Sequence, residues 1–382
     1  MKRISLVVAL LFALNLLPVR GQAVEMDLAG KSALLMDVDT GTILYESNAH
    51  EKLAPASVTK VMTMLLIMEA IDDGRIGWDD MVTASETAAA KGGSQIYLKV
   101  GETMSVSDML KSIAVSSAND CACAMAEHIA GSEPAFVAMM NSKAQELGMS
   151  DTNFVNCTGL DDGEDAAHHR TSAPDIAVMS RELLKNHPDI KKFTTIWMDT
   201  VRNGTFGLSN TNKLIRFYSG ATGLKTGFTS GAGYCLSATA EREGMELIAV
   251  VMGAETSNAR NAACKSLLDY GFANFAVVNP EITEVNDVPV KLGQSPSVGV
   301  RLGDTNGLLI DKAQKSYVTT EVTKEASVNA PESQGQRIGT LTVKAGEQVL
   351  SEIPLVAAEG VERLTFGDLF VKVLKRAAMA KM

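Results

Sequence analysis

Hydrophobic residues recur with two different periods along most of the chain, and together they predict a mixed α/β domain. Residues 33–45 alternate around an Asp-Thr-Gly turn, which is typical of a two-stranded hairpin, and strand-like runs return across 223–254. Helical spacing predicts helices from Ser57 to about Ile71, within 104–150, from Thr171 to Lys185 and from Ser257 to Phe275. Because helices lie between the hairpin and the later strands, we expect both ends of this region to complete one sheet.

After residue 279 the pattern changes to short alternating runs rich in Val, Thr, Ser and Gly. Residues 280–358 contain no His and no Cys, and they include runs such as 338–344 that alternate in polarity. Such runs predict a small all-β domain. We find no catalytic set of residues in it.

The last twenty residues are basic and amphipathic. On a helical wheel, one side carries Thr365, Asp368, Lys372, Lys375 and Arg376. The other side carries Leu364, Phe366, Leu369, Phe370, Val373, Leu374 and Ala377. A basic amphipathic helix on an acidic protein favours an anchor at a membrane surface. The alternative is a helix whose apolar side packs on the β domain.

The first residues are typical of a secretory signal peptide. Lys2 and Arg3 precede an almost wholly apolar run, Ile4 to Val19, and the small residues Gly21 and Ala23 follow. An uncleaved anchor is the alternative, but the run is shorter than the roughly 20 residues that a spanning helix needs. We therefore predict four parts, namely a signal peptide (1–23), a catalytic domain (24–278), an all-β domain (279–360) and a membrane-anchoring helix (361–382).

Composition narrows the classes of function. The 382 residues carry 35 basic and 45 acidic side chains, a net charge of -10, which argues against nucleic-acid binding. Aromatic residues make up 5%, too few for base-stacking platforms. The five cysteines contain no CxxC pair, so zinc has little support, and we expect most of them to be small buried residues.

A serine and a lysine three residues apart are the first candidates for chemistry. In Pro55-Ala-Ser57-Val-Thr-Lys60, a helix that begins at Ser57 brings the Lys60 amine within reach of the serine hydroxyl. A serine is a poor nucleophile unless a base takes its proton, and a lysine with a lowered pKa is such a base. By itself this spacing is common and carries little weight.

Two further motifs make the pair of Ser57 and Lys60 significant. Ser117-Ala118-Asn119 stands where a loop runs into a predicted helix, and Lys225-Thr226-Gly227 lies on a predicted strand. S-x-x-K, S-x-N and K-T-G in this order are the set of the penicillin-recognising serine enzymes. A second lysine near Lys60 would help to keep it neutral, and Gly227 would let a substrate backbone lie against the strand.

With these motifs, the chain resembles the low-molecular-mass penicillin-binding proteins, the serine-type D-alanyl-D-alanine carboxypeptidases of peptidase family S11. The resemblance covers Ala33–Tyr45, Pro55–Met64, Ser117–Asp120, Gly159–Ile176, Gly223–Gly253 and Arg260. Ala118 stands where the family often has Gly, a small change. The resemblance implies a transpeptidase-like α/β domain with an antiparallel sheet and a helical subdomain, then the β domain and the terminal helix.

The resemblance also implies residue roles. Ser57 would attack the bond between two D-alanines and form an acyl-enzyme, and Lys60 would take its proton. Ser117 would relay a proton, and Asn119 would hold the substrate amide. Lys225, Thr226 and Gly227 would bind the end of the substrate, with Arg260 as a further cation. The backbone N–H groups of Ser57 and Phe228 would form the oxyanion hole.

The implied partners are the peptidoglycan pentapeptide as substrate and β-lactam antibiotics as covalent inhibitors. No cofactor, metal or nucleic acid is expected. Export and the terminal helix imply a peripheral protein on the outer face of the cytoplasmic membrane.

Several alternatives stay open at this point. A serine β-lactamase shares the three motifs, but class A enzymes use a glutamate soon after S-D-N, and Glu182 lies some 65 residues on, in a predicted helix. A non-catalytic wall-binding protein would not need Ser57, Lys60 and Lys225. The five histidines include none in a nucleophile elbow. The acidic stretch 161–169 is interpreted as a solvated loop rather than a cation site.

Overall fold

The computed structural model describes residues 26–163, 165–282, 285–303 and 307–379. The predicted signal peptide, residues 1–23, lies outside the described residues. The division of the chain into four parts at the stated boundaries stays a prediction.

The strands come in two groups along the chain. The first group is β1 (Ser32–Asp37), β2 (Ile43–Ser47), β3 (Met81–Thr83), β4 (Thr103–Ser105), β5 (Met198–Val201), β6 (Phe206–Ser209), β7 (Ala221–Thr229), β8 (Gly233–Arg242), β9 (Met245–Ala254) and β10 (Phe275–Val278). The second group is β11 (Val288–Lys291), β12 (Ser297–Val298), β13 (Val300–Leu302), β14 (Leu308–Asp311), β15 (Val318–Lys324), β16 (Val328–Asn329), β17 (Arg337–Ala345) and β18 (Gln348–Ala357).

The helices lie mostly between the two ends of the first group of strands. They are α1 (Lys60–Asp72), α2 (Glu86–Ala89), α3 (Val106–Ser116), α4 (Asn119–Ala130), α5 (Glu133–Glu146), α6 (Ala173–Asn186), α7 (Lys191–Thr194), α8 (Leu214–Phe217), α9 (Ser257–Asn274) and α10 (Phe366–Met379). Short 3₁₀ turns span Ala56–Thr59, Ala166–His168, Pro188–Ile190 and Lys312–Tyr317.

A five-stranded antiparallel sheet in the order β2-β1-β9-β8-β7 organises the catalytic domain. Strand β1 pairs with β9, so the first strand and one of the last complete the same sheet, as predicted. Alternate residues point to opposite faces, and both faces are covered. Leu34 and Val250 face the helical subdomain, whereas Leu35 and Ala249 face α9. Strand β7 is left at an edge, beside the nucleophile.

The helical subdomain packs around α1, whose residues are buried on nearly every side. Met62, Met64 and Met68 fill this core, as expected for methionine. All five cysteines lie in the described part of the chain as buried free thiols, which confirms the expectation that they are core residues.

Some predicted boundaries were wrong. The segment at Ser57 begins with a 3₁₀ turn, and the α-helix starts only at Lys60. The periodic stretch 104–150 contains three helices. Ser117 takes a left-handed conformation (φ 64°) that ends α3, and Gly131 and Ser132 separate α4 from α5. The second motif therefore lies at a short junction between α3 and α4, and α4 begins at Asn119. Phe275 starts β10 instead of ending the closing helix.

The second group of strands forms the expected small β domain. Its larger sheet has the order β13-β18-β17-β15, and a smaller one has the order β12-β11-β16. Strand β10 at the end of the catalytic domain pairs with β14, which links the two domains through a strand ladder. The mixed α/β fold followed by a β domain confirms the predicted fold class.

Helix α10 follows the β domain, and apolar residues between Phe366 and Leu374 face solvent. Phe366, Phe370 and Leu374 are 86%, 58% and 54% exposed. Thr365 and Asp368 cap the first turn through reciprocal hydrogen bonds. Among the described residues, no helix has the length and apolar character needed to cross a membrane.

Candidate active site

The predicted nucleophile, Ser57, and the predicted base, Lys60, lie where the 3₁₀ turn passes into α1. Lys60 Nζ is 2.9 Å from Ser57 Oγ, and it also donates to the backbone carbonyl of Thr158 at 2.8 Å. The side chain of Lys60 is wholly buried, and this burial lowers its pKa to about 7 because the ammonium form loses its hydration. A lysine in this state can accept the serine proton near neutral pH.

A second buried amine, Lys225, comes from the edge strand β7. Burial lowers the pKa of Lys225 well below its ordinary value, and the neighbouring cations Lys60 and Arg260 lower it further. Its Nζ donates to the carbonyl of Thr226 at 2.9 Å, and no carboxylate of the described residues pairs with it. Lys225 therefore has no partner of opposite charge among the described residues.

Strand β7 approaches the nucleophile closely because it carries a glycine at the point of contact. A Cβ on Gly227 would lie 2.6 Å from the carbonyl oxygen of Pro55 and 3.0 Å from the backbone nitrogen of Ser57. Thr226 Oγ1 and Thr211 Oγ1 are 2.7 Å apart. Phe228 follows on the same edge strand, whose open side has N–H groups without a strand partner.

Ser117 and Asn119, the predicted opposite wall of the site, lie at the junction of α3 and α4. Asn119 Nδ2 donates to the carbonyl of Gly92, and its backbone N–H donates to the carbonyl of Ser94. Among the described residues, Ser117 Oγ and Asn119 Oδ1 are buried and make no hydrogen bond. Buried polar atoms normally have partners, so these two are available to a ligand.

Arg260 reaches the site from α9. It is buried, donates to the carbonyl of Cys235 on β8 and lies over the ring of Tyr234. That ring stacks on Phe228 at 4.2 Å between centroids. The structure thus brings the predicted residues of the first and third motifs together, and it places Arg260 close enough to act on the pKa of Lys225.

The loop 156–159 accepts a hydrogen bond from Lys60 through the carbonyl of Thr158, and it is not among the predicted site residues. Asn156 Oδ1 accepts from the backbone N–H groups of Thr158 and Gly159, which fixes the carbonyl that receives Lys60. Gly159 has a φ of 82°, and a Cβ there would lie 1.8 Å from the carbonyl oxygen of Ala56. An Asn-x-x-Gly turn signature was the available sequence signal.

His169 was also missed, since the stretch 161–169 was interpreted as a solvated loop. The structure buries His169, and its Nε2 lies 2.7 Å from the hydroxyl of Thr59, two residues after Ser57. Asp161 and Asp162 in the same stretch are exposed. No group of His, Cys, Asp and Glu among the described residues could hold a metal ion.

Comparison with family models gives two matches. Residues 20–256 match the model described as D-alanyl-D-alanine carboxypeptidase, and residues 281–363 match the model described as Penicillin-binding protein 5, C-terminal domain.

Known relatives agree with these models. The D-alanyl-D-alanine carboxypeptidase DacF of Bacillus subtilis is 44% identical over 348 residues, which cover 90% of this chain and 88% of that protein. Penicillin binding protein 5 from Haemophilus influenzae superposes with a TM-score of 0.73 at 31% identity, covering 90% of this chain and all of that one. Penicillin-Binding Protein D2 from Listeria monocytogenes, solved in an ampicillin-bound form, has a TM-score of 0.57 at 32% identity, covering 65% of this chain and 99% of that one.

Replacing Gly159 by alanine should destabilise the protein and disturb the nucleophile. The new methyl group would overlap the backbone of Ala56, which cannot move without shifting Ser57. We expect roughly 1–3 kcal/mol of overpacking on top of the conformational penalty of about 1–2 kcal/mol for an alanine at positive φ. Urea denaturation measures the loss.

Gly148→Ala is the matched control. Gly148 also has a positive φ, of 72°, but a Cβ there has no neighbour within 4 Å. This variant should show the conformational penalty alone. Equal losses in the two variants would show that the contact with Ala56 is unimportant.

Proposed function

The chain belongs to the D-alanyl-D-alanine carboxypeptidase family of serine peptidases, and from this membership we propose that Ser57 removes the terminal D-alanine of peptidoglycan stem peptides through an acyl-enzyme. The observation that carries the proposal is the 2.9 Å contact between the hydroxyl of Ser57 and the buried amine of Lys60. A lysine kept there for structure alone would gain nothing from losing its hydration.

Acylation begins when the neutral amine of Lys60 takes the hydroxyl proton as Ser57 Oγ bonds to the substrate carbonyl carbon. The carbon–nitrogen bond to the last D-alanine then breaks, and the leaving amine needs a proton. Ser117 Oγ, buried and without a protein partner, is suited to relay that proton from Lys60. Asn119 Oδ1 is free in the same way to accept the N–H of the substrate amide.

The oxyanion formed in this step needs donors on the side of the edge strand. The backbone nitrogen of Ser57 lies against Gly227, and Phe228 follows Gly227 on the edge strand β7. We assign these two N–H groups to the oxyanion hole. Removing one such donor in a serine protease typically lowers the rate by about 10²–10³.

The free carboxylate of the substrate is assigned to Lys225, Thr226 and Arg260. Bound against Lys225, a carboxylate raises the pKa of that amine again, so binding and proton uptake by Lys225 are coupled. Once it is protonated, Lys225 helps to keep Lys60 neutral. Water completes the cycle by hydrolysing the ester on Ser57.

A β-lactam presents the same kind of acyl–nitrogen bond inside a ring. Its leaving amine stays tethered to the acyl group, so the ester on Ser57 should persist. The β-lactamase alternative loses support, because Glu182 lies on α6 and accepts a hydrogen bond from Asn186. It does not contact Lys60, whose hydrogen bonds go to Ser57 and Thr158.

We also propose that the protein is exported and peripheral to the outer face of the cytoplasmic membrane. The amino-terminal pattern of residues 1–23 supports export. Exposed Phe366, Phe370 and Leu374 on α10 support membrane binding over packing against the β domain. The basic residues of 363–382 add roughly 1 kcal/mol each near an anionic surface.

Purified protein without residues 1–23 should release D-alanine from a diacyl-L-Lys-D-Ala-D-Ala peptide. Incubation with penicillin should add one penicillin mass, and peptide mapping should locate it on Ser57, because the same oxygen attacks both compounds. Ser57→Ala is the matched control and should do neither while keeping its fold. A folded wild-type protein that releases no D-alanine would leave the wall-binding alternative, whereas fast turnover of penicillin would favour a β-lactamase.

The rate of acylation should increase with pH and reach half of its plateau near the pKa of Lys60, about 7. Only the neutral amine accepts the serine proton, so the rate should fall about tenfold per pH unit well below that value. Stopped-flow measurement with a fluorescent penicillin gives the profile. Lys60→Arg should remain unacylated at every pH, because a guanidinium does not give up its proton. A flat profile in the wild type would contradict this role of Lys60.

Deleting residues 363–382 should abolish binding to vesicles that contain phosphatidylglycerol but leave D-alanine release from the soluble peptide near normal. The combined variant Phe370→Glu and Leu374→Glu should act similarly, because it places charge on the apolar side of α10. Val349→Glu is the matched control, since Val349 is equally exposed on β18 of the β domain. Vesicle sedimentation that is unchanged by the deletion would contradict the anchoring role.

A further inference from the structure

A chain of hydrogen bonds ends on the carbonyl of Ala56, the residue before Ser57. Thr59 Oγ1 donates to the carbonyl oxygen of Ala56 at 2.8 Å, and His169 Nε2 lies 2.7 Å from the same hydroxyl. Thr59 and His169 are both buried, and neither has a part in the catalytic steps given above. Serine and threonine often bond to a carbonyl one turn back, but a buried histidine behind that hydroxyl needs a separate explanation.

The direction of each hydrogen bond in this chain can be assigned. The backbone N–H of Val155 donates to His169 Nδ1 at 3.1 Å, so Nδ1 is an acceptor and the ring proton lies on Nε2. Nε2–H therefore donates to Thr59 Oγ1, and the threonine proton is left to donate to Ala56. Burial lowers the pKa of His169 to about 4, so the neutral ring persists at physiological pH.

The carbonyl of Ala56 accepts the last hydrogen bond of this chain, and its orientation determines where the N–H of Ser57 points. In a planar trans peptide the C=O of one residue and the N–H of the next point in opposite directions. The Ala56–Ser57 bond is not among the cis peptides of the described residues. Since the oxygen of Ala56 points toward Thr59 and Gly159, the N–H of Ser57 points away from them, toward Gly227.

The turn needs this support because its backbone is strained. Ala56 has a φ of 49°, in the left-handed region that residues with a Cβ avoid. Strained residues persist where the surroundings over-determine them. Without the hydrogen bond from Thr59, the Ala56–Ser57 peptide could rotate toward a more relaxed conformation, and the N–H of Ser57 would turn with it.

We propose that Thr59 and His169 are positioning residues that aim the backbone N–H of Ser57 into the oxyanion hole by holding the carbonyl of Ala56 from behind. The inference rests on the proposed acyl-enzyme chemistry and deepens it. Neither side chain touches the substrate or moves a proton in the reaction. Their effect is on the geometry of one donor, so it should appear in the rate of acylation rather than in the affinity for the carboxylate.

The first test removes the threonine hydroxyl. Thr59→Val keeps the shape but cannot donate to Ala56, and it should lower the acylation rate by roughly 10- to 100-fold, somewhat less than the loss of a whole oxyanion donor. Thr59→Ser keeps the hydroxyl and should stay within about threefold of the wild type. Rates are measured with a fluorescent penicillin and normalised to the sites that finally react, so that misfolded protein does not contribute.

The second test uses the two nitrogens of the histidine. His169→Gln keeps a donor near the position of Nε2, whereas His169→Asn keeps only an acceptor near Nδ1. We expect the glutamine variant to retain the faster acylation. The double variant Thr59→Val with His169→Asn should be no slower than Thr59→Val alone, because both act through one carbonyl.

A purely structural role would give a different set of results. It would lower the unfolding temperature but leave the normalised acylation rate unchanged. An effect through Lys60 would shift the midpoint of the pH profile, whereas the proposal predicts a lower plateau with the midpoint unmoved and, in the peptidase assay, a lower kcat with KM little changed. Either of those alternative results would overturn the inference.

Acylation of the wild-type protein distinguishes a failure of this inference from a failure of the proposed function. If wild-type protein is not acylated by penicillin, the acyl-enzyme proposal itself fails. If it is acylated and Thr59→Val is acylated equally fast, only the positioning role is wrong. Should Thr59→Val not fold, the comparison of His169→Gln with His169→Asn decides: equal rates in these two variants would overturn the inference.

Discussion

The burial of one amine against one hydroxyl is the constraint on which the rest of the site depends. An ammonium group taken out of water loses several kcal/mol of hydration unless it is paired, and Lys60 is wholly buried without a carboxylate partner in its hydrogen bonds. The group escapes the penalty by becoming neutral, which is the state a general base needs. The helical subdomain that packs around α1 supplies the dry surroundings. The packing of the core and the basicity of Lys60 therefore depend on each other. Looser packing would admit water and restore the charge on the Lys60 amine.

That arrangement requires three backbone segments to meet within a few ångströms of Ser57. The 3₁₀ turn at 56–59 lies between the edge strand β7 and the loop 156–159, and each neighbour has a glycine at the contact. On the β7 side Gly227 leaves room for the backbone nitrogen of Ser57, and on the loop side Gly159 leaves room for the Ala56 carbonyl. The turn itself is strained at Ala56. Its Ala56 carbonyl accepts a hydrogen bond from Thr59, whose hydroxyl in turn contacts His169.

Much of this could be predicted from the sequence, because the motifs and the hydrophobic periods are local signals. Ser57, Lys60 and Lys225 were chosen from spacing, and alternation in 223–254 predicted β7, β8 and β9. Features that depend on distant contacts were missed or wrong. Nothing near His169 in the sequence indicates that it packs behind Thr59, 110 residues earlier, and its acidic neighbours favoured a solvated loop. The left-handed Ser117 that divides two helices was also missed, since a serine at that position carries no strong turn signal.

The cations of the site explain why a peptide with a free carboxylate should be the preferred substrate. Lys60 and Arg260, which come from two other elements, lower the pKa of Lys225 beyond the effect of its burial. No acidic group of the described residues is paired to Lys225, so a ligand carboxylate would be its first partner of opposite charge. A terminal carboxylate would restore the proton on Lys225, and the resulting positive charge would hold Lys60 in its basic form. A substrate with a blocked or extended end has no carboxylate to place beside Lys225. It would therefore bind less well, and it would not help to keep Lys60 neutral. The same contact between the substrate carboxylate and Lys225 would then give specificity for the chain end and prepare Lys60 to activate Ser57.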